Sequence, residues 1–152
     1  MKTTRLIWLA LCLFTWPLAA QQTATYADLL ANFEKAEQLF EQGVFAEAAE
    51  VYQQVLKTPR PPEAGMYEQL QKRSELGYAK CMVRLHLPQG EILMLDFIGR
   101  NAPDPIADQA LIELANFYFN AKDYQKAVTY FSRIPGYQLS PGQRAEVRFK
   151  MG

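Results

Sequence analysis

One stretch of the chain limits its fold more than any other feature. Residues 110–134, ALIELANFYFNAKDYQKAVTYFSRI, hold two runs in which apolar residues recur every three or four positions. This spacing puts one apolar stripe on each of two α-helices. A polar turn from Asn120 to Asp123 separates the runs, and Ala115 and Ala127 stand where two antiparallel helices can approach closely. The stretch predicts a tight helix hairpin, with three aromatic rings filling the space around the contact: Tyr118, Tyr124 and Phe131.

A second copy of this pattern lies upstream, around Ala48. Superposing Ala48 on Ala127 aligns four further pairs of small or aromatic residues: Ala36 with Ala115, Phe40 with Phe119, Phe45 with Tyr124, and Tyr52 with Phe131. A break at Gln42-Gly43 separates the two runs of this copy. We expect its first helix to start near Thr25, where a threonine cap precedes the carboxylate of Asp28.

The distance between these two copies leaves room for one more, because repeats of this kind are about 40 residues long. Residues 63–86 predict its first helix, with Leu76-Gly77 as a leucine and small-residue pair. We expect a turn at residues 88–90 and a second helix over residues 92–98. This middle copy is degenerate, since no alanine or aromatic residue falls cleanly at the signature positions of its second helix.

Proline-rich segments are predicted to separate the copies. Residues 58–62 end one helix, because proline lacks the backbone amide and clashes with the preceding turn. Residues 101–105 form the next break. Within it Asp104 is the predicted N-cap of the following helix, and Pro105 lies in the first turn, where no amide partner is needed.

The same arrangement recurs near the end of the sequence. Ser140 and Pro141 predict another helix start, and Gln143 completes a capping box. Met151-Gly152 then falls where Leu114-Ala115 fell in the best copy. We therefore expect an incomplete fourth repeat over residues 140–152, and a chain that is part of a longer protein.

The N-terminal residues have the pattern of a secretory signal peptide. Lys2 and Arg5 precede an apolar run, residues 6–16, and small residues lead to a predicted cleavage after Ala20. The run is shorter than the roughly 20 apolar residues that span a bilayer, so no transmembrane segment is predicted. Cys12 does not fit a lipid-attachment site, because a small residue is wanted before the cysteine. We expect an exported chain, periplasmic or associated with the outer membrane, with residues 21–25 as a short lead.

Charge and residue chemistry exclude several classes of function. The chain has 16 basic and 16 acidic residues, and removing Lys2 and Arg5 with the signal peptide leaves an acidic excess, which argues against a nucleic-acid partner. One histidine, His86, and one remaining cysteine, Cys81, do not make a metal site. Cys81 falls on an apolar stripe and is predicted to be a buried structural residue. We predict no catalytic residue, no metal and no cofactor, and hence no enzyme.

The best copy resembles one tetratricopeptide (TPR) repeat. Six residues occupy the family's leucine, small, aromatic and alanine positions in order: Leu114, Ala115, Tyr118, Tyr124, Ala127 and Phe131. Over residues 26–152 the pattern is similar to envelope TPR proteins of Gram-negative bacteria, the group of the barrel-assembly lipoprotein and the TolA-binding coordinator of cell division. The resemblance implies an all-α, right-handed solenoid of antiparallel helix hairpins, with repeats at about 26–60, 62–102, 104–138 and an incomplete fourth at 140–152.

The resemblance also implies a concave groove lined by the first helix of each repeat. Its candidate residues are Phe33, Glu37, Phe40, Ile112, Asn116, Phe119 and Asn120. The basic residues with which some family members hold a C-terminal carboxylate are absent, so an apolar segment is the expected ligand. The aromatic side chains either bind a ligand or belong to the core.

The implied function is an exported scaffold that binds a protein or peptide partner in cell-envelope assembly or maintenance. Two alternatives stay open from the sequence. One is the non-catalytic repeat region of a larger periplasmic enzyme such as a metallopeptidase. The other is a glycan-binding outer-membrane protein on a similar scaffold. The sequence does not name the partner or the oligomeric state.

Overall fold

The computed structural model describes residues 16–59, 65–136 and 140–152, with side chains from residue 26 onward except that of Gln143. All regular secondary structure in these ranges is helical, which confirms the predicted all-α class for them. The helices, in chain order, are α1 (Trp16–Glu41), α2 (Phe45–Lys57), α3 (Gly65–Arg84), α4 (Pro88–Asn101), α5 (Pro105–Asn120), α6 (Tyr124–Phe131) and α7 (Pro141–Met151). Most of the predicted signal peptide, residues 1–15, lies outside the described residues, as do residues 60–62 of the predicted proline break.

Helices contact mainly the helices next to them in the chain. α1 packs on α2 and α2 on α3, and the same succession continues through α4, α5 and α6 to α7. Two further contacts skip one helix, α1 with α3 and α3 with α5. The helices α1, α3 and α5 therefore lie side by side in one row.

Most predicted helix boundaries are confirmed, and their causes are visible in the backbone. Gly43 has a φ of 79°, the left-handed conformation in which glycine ends a helix without steric cost. The carboxylate of Asp104 accepts a hydrogen bond from the amide of Ile106, 3.1 Å away, at the start of α5. Asp123 caps α6 in the same way, at 3.1 Å from the amide nitrogen of Lys126.

The predicted helix start at Thr25 is wrong. α1 already begins at Trp16 and continues through Thr25 without a break. Pro17 is compatible with this start, because proline is favoured in the first turn of a helix. The alanine and glutamine residues that follow are good helix formers, so a cap at Thr25 does not end the helix before it.

The predicted turn at residues 88–90 is also wrong, because Pro88 opens α4 instead of interrupting it. The proline occupies the first helical turn, where its missing amide leaves no partner unsatisfied. The chain reverses direction two residues before Pro88, at His86, whose φ of 55° lies in the left-handed region.

Close packing at two glycines stabilises the α3–α4 hairpin and its contact with α2. A Cβ atom on Gly90 would lie 2.6 Å from the carbonyl carbon of Met82, so the backbones of α3 and α4 meet directly at this glycine. A Cβ on Gly77 would lie 2.3 Å from the ring of Tyr52. Gly77, the small residue predicted for the first helix of the middle copy, therefore packs against α2, and Gly90 supplies a small residue in the second helix, at the contact within the hairpin.

Residues that the sequence alignment pairs have matching environments. Tyr52 and Phe131 are buried in their respective copies. The four alanines at the predicted helix contacts are fully buried: Ala36, Ala48, Ala115 and Ala127. The ring centroids of Phe40 and Phe45 are 5.2 Å apart, and those of Phe119 and Tyr124 are 5.5 Å apart. Tyr124 is nevertheless 54% exposed, so it covers the edge of the contact and does not fill its interior.

The apolar core forms two clusters that share α3 as a common wall. One cluster includes Phe33 and Tyr52 from α1 and α2, with Leu70 of α3. The other includes Leu114 and Phe131 from α5 and α6, with residues of α3 and α4. Burying a large apolar side chain contributes roughly 1.5–3 kcal/mol, and α3 takes part in this burial on both of its sides.

Candidate binding surface

The candidate residues lie on or beneath the outward side of the row formed by α1, α3 and α5, which we call the first-helix face. We define it by the seven predicted residues and by five charged residues near them. The predicted residues are Phe33, Glu37, Phe40, Ile112, Asn116, Phe119 and Asn120. The added residues are the cations Arg73, Lys80, Arg84 and Lys150 and the carboxylate Glu113. Contacts across helices join most of these residues.

Between α1 and α3, cations lie over aromatic rings. The guanidinium carbon of Arg73 is 4.5 Å from the ring centroid of Phe33. The ammonium nitrogen of Lys80 is also 4.5 Å from the ring centroid of Phe40. Such contacts stabilise a cation by roughly 0.5–1 kcal/mol at exposed sites. The two rings predicted to line a groove therefore present cations at the surface.

Glu37 lies between these two rings on α1, and its carboxylate accepts a hydrogen bond from the hydroxyl of Tyr52. Burial, with the bond to the Glu37 carboxylate as the next cause, raises the pKa of Tyr52 well above its usual value. The phenol therefore stays protonated as the donor. Glu37 thus has a structural partner within the α1–α2 hairpin.

Between α3 and α5, one carboxylate faces two cations. An oxygen of Glu113 lies 3.9 Å from the ammonium of Lys80, and the other lies 3.7 Å from the guanidinium of Arg84. Both distances exceed those of ordinary hydrogen bonds. Partly exposed ion pairs of this length contribute little to stability.

At the other end of the row, Lys150 of α7 joins α5. Its ammonium donates to the side-chain oxygen of Asn116 and to the carboxylate of Glu146, each at 2.6 Å. The same nitrogen lies 5.2 Å from the ring centroid of Phe119. Asn116 and Phe119 are therefore engaged in holding α7 against α5, whereas the neighbouring Asn120 is exposed.

The seven predicted residues differ in accessibility. Phe33 is only 3% exposed and belongs to the core cluster of α1 and α2, so its ring is not available to a partner. Asn120 is exposed, and the other five are half-buried: Glu37, Phe40, Ile112, Asn116 and Phe119. Ile112 packs against the core cluster of α5 and α6.

The four cations of the first-helix face are not among the residues predicted from the sequence. Arg73, Lys80 and Arg84 recur at spacings of seven and four along α3, which puts them on one side of the helix. This signal was readable, but it became meaningful only when Phe33 and Phe40 were placed beneath two of these side chains. Lys150 could not be assigned, since nothing in the sequence places α7 against Phe119.

A separate polar cluster, the Glu91 cluster, joins α4 to the α5–α6 hairpin through Glu91, Tyr118, Lys126 and Tyr130. One carboxylate oxygen of Glu91 accepts from the Tyr118 hydroxyl and the Lys126 ammonium, each at 2.8 Å, and the other accepts from the Tyr130 hydroxyl. Burial alone would raise the pKa of Glu91, but these three hydrogen bonds outweigh it and lower that pKa. Burial, followed by the bond to Glu91, raises the pKa of Tyr130 to about 12.

Two cavities lie away from the first-helix face. One, of about 180 Å³, adjoins the Glu91 cluster and is lined by residues that include His86, Pro88 and Phe117. The His86 ring is 5.1 Å from that of Phe117. The other, of about 240 Å³, lies where the end of α2 meets α1 and α3, beside Leu29 and Tyr67.

Cys81 is fully buried, which confirms the prediction made from its apolar stripe. Burial raises the pKa of its thiol to about 12, so the thiol stays protonated at neutral pH. Across the described ranges, no three His, Cys, Asp or Glu side chains are grouped so that they could hold a metal ion.

None of the helices described here is both long and apolar enough to cross a membrane. No protein family, curated protein or solved structure matches the chain.

Proposed function

We propose that the chain is an exported TPR-type scaffold that binds a protein or peptide partner along the first-helix face. In this proposal the hairpins α1–α2, α3–α4 and α5–α6 are successive repeats of a right-handed solenoid, and α7 is the first helix of a fourth. The partner binds in a groove lined by the first helices, and the scaffold serves the assembly or maintenance of the cell envelope.

The observation that carries the proposal is the row formed by α1, α3 and α5. First helices that touch one another, while second helices contact mainly their neighbours in the chain, are the arrangement expected of stacked hairpins. The paired alanines Ala36 and Ala115, equally buried in their copies, support the same assignment. So does the recurrence of the Phe40–Phe45 ring pair at Phe119 and Tyr124.

The first-helix face is the better candidate for binding because several of its side chains are polar, held in place and accessible. Arg73 on α3 and Asn120 at the end of α5 are both exposed. By contrast, Ile92 on α4 is a single exposed apolar residue, 68% accessible, of the kind found on most protein surfaces.

Site-specific photo-crosslinking tests this proposal. A photoreactive residue replaces Arg73 or Asn120 on the first-helix face, or Ile92 or Lys57 on helices outside it, and the full chain is expressed in a Gram-negative host and irradiated in intact cells. We expect one shared envelope protein to be crosslinked from positions 73 and 120 and not from positions 92 and 57. Crosslinks to that protein only from position 92 would contradict the proposal, as would no partner from any of the four.

Export is tested separately. Mass spectrometry of the periplasmic and membrane fractions should find a chain whose first residue is Gln21, because the predicted cleavage follows Ala20. A chain that retains residues 1–20 and stays in the cytoplasmic fraction would contradict the proposed location.

A further inference from the structure

We propose that the first-helix face binds an acidic protein segment, through side-chain carboxylates that pair with Arg73 and Lys80. This inference rests on the proposed function, and it names the chemistry of the partner. It replaces the apolar segment expected from the sequence, because the two α1 rings that suggested that segment lie beneath these cations.

Arg73 has hydrogen-bonding capacity that the protein leaves unused. Its guanidinium lies over the Phe33 ring, and its side chain is exposed. Among the described residues, no carboxylate forms an ion pair with it. A guanidinium that lies over a ring keeps N–H groups free in its own plane, and these can bind a carboxylate through two parallel bonds. The stacking also fixes the side chain, so less entropy is lost on binding.

Lys80 is similar. Its ammonium lies over Phe40, and its carboxylate neighbour, Glu113, is 3.9 Å away and shared with Arg84. Lys150 differs, because its ammonium already donates to Asn116 and to Glu146. The free donors on this face therefore lie on α3, in the middle of the row.

Charge favours the same partner. The α3 side of the face carries Arg73, Lys80 and Arg84. Among the nearby carboxylates, Glu113 is shared by Lys80 and Arg84, and α1 carries Glu37 together with the exposed Glu34 and Glu41. Glu37 is occupied by the hydroxyl of Tyr52. Arg73 thus offers an approaching carboxylate a positive charge that no ion pair within the described residues neutralises, although the chain as a whole has equal numbers of basic and acidic residues.

Spacing specifies the segment further. Arg73 and Lys80 are separated by two helical turns, roughly 10 Å along the axis of α3. Two glutamates at positions i and i+7 of a helical segment are separated by the same distance, on one side of that helix. An acidic helix lying along α3 can therefore place one carboxylate on each cation.

The test is a titration of the isotopically labelled full-length protein, followed by NMR, with three synthetic helical peptides of about 20 residues. The first peptide has glutamates at i and i+7, the second has them at i and i+5, on different sides of the helix, and the third has glutamines at i and i+7. We expect only the first to shift the amide resonances around Arg73 and Lys80 at low millimolar concentration or below. Equal binding of all three would overturn the inference, as would shifts confined to other helices.

Variants of the protein locate the contact. Arg73→Gln and Lys80→Gln together should weaken binding of the first peptide about five- to thirtyfold, and raising the salt concentration should weaken it further. The matched control is Lys57→Gln, an exposed cation on α2 outside this face, which should leave binding unchanged. Circular dichroism confirms that the variants keep their helices. Binding that survives the double variant overturns the inference.

The two proposals fail separately. If photo-crosslinks come from positions 73 and 120 while the first peptide does not bind, the partner site stands and its acidic chemistry is wrong. If a sulfated oligosaccharide shifts the same resonances as strongly as the first peptide does, the surface binds anions in general, and the acidic-segment inference is overturned.

Discussion

The carboxylate of Glu91 on α4 links three helices by hydrogen bonds. Its carboxylate accepts from Tyr118 on α5 and from Lys126 and Tyr130 on α6. The rings of Tyr118 and Tyr130 stack with centroids 5.8 Å apart, so the donors also order one another. Removing the charge of the shared acceptor weakens three hydrogen bonds at once.

We predict that Glu91→Gln lowers the free energy of unfolding by about 1–3 kcal/mol, measured by urea denaturation. The amide can accept through one oxygen only, and its NH₂ group faces donors. The matched control is Glu113→Gln, because Glu113 faces cations at distances beyond ordinary hydrogen bonds, and it should change stability by less than about 0.5 kcal/mol. Equal effects of the two changes would show that the Glu91 cluster adds no more to stability than the long ion pairs of Glu113.

The same residue predicts a dependence on pH. The folded-state pKa of Glu91 is lowered from its ordinary value of 4.5, so its contribution to stability is complete above that value and is lost as the pH falls through the folded-state pKa. Glu91→Gln removes this contribution. The difference in unfolding free energy between the two proteins should therefore narrow as the pH is lowered from 6 toward 3. A difference that stays constant over this range would contradict the assigned role of the charge.

Single residues also show what the sequence can and cannot predict about the candidate site. The burial of Ala36, Ala115 and Cys81 followed from helical periodicity, because periodicity reports which side of a helix faces the core. Periodicity does not report what lies above a ring. Whether Phe33 and Phe40 face a partner or lie beneath Arg73 and Lys80 depends on how α3 packs against α1, and this information is not local in the sequence.

Among the helices, the start of α4 was predicted wrongly, because its local sequence pattern is that of a turn. A Pro-Gln-Gly sequence is typical of a turn, yet here it is the first turn of a helix that runs from Pro88 to Asn101. Proline and glycine occur together in turns. Here Pro88 instead starts a helix, and Gly90 allows a close contact between two backbones. Only the approach of Met82 distinguishes the two cases, and that approach is tertiary.

The α3–α4 contact predicts opposite effects for two glycines of the same helix. Gly90→Ala places a methyl group 2.6 Å from the Met82 backbone, which cannot rotate away, and should destabilise the protein by about 1–3 kcal/mol. Gly99→Ala adds its methyl group where no atom lies within 4 Å, and should stabilise by up to about 1 kcal/mol through helix propensity. Thermal unfolding of both variants measures the difference. If Gly90→Ala stabilised as much as Gly99→Ala, the close packing of α3 and α4 would be wrong.

At the scale of the whole molecule, contacts join helices that are near one another in sequence, and α3 is the element common to both core clusters. It contacts α1, α2, α4 and α5. α7 has the weakest attachment: Val147 packs against the core, but Phe149 is 82% exposed. Local stability should therefore vary strongly along the chain, since protection follows the apolar contacts that each helix makes.

Hydrogen exchange of the backbone amides measures this variation. We expect the slowest exchange in the middle of α3 and the fastest helical exchange in α7, with opening free energies that differ by at least about 1.4 kcal/mol, a tenfold difference in opening constant.

Leu114→Ala, which removes a fully buried side chain from the α5–α6 cluster, should destabilise by about 2–5 kcal/mol. Because the buried residues that join that cluster to α1 and α2 lie on α3, with Leu93 of α4 packed against both clusters, the variant should accelerate exchange in α5 and α6 more than in α2. Equal acceleration in all helices would mean that the two clusters unfold as one unit, and that α3 transmits the loss in full.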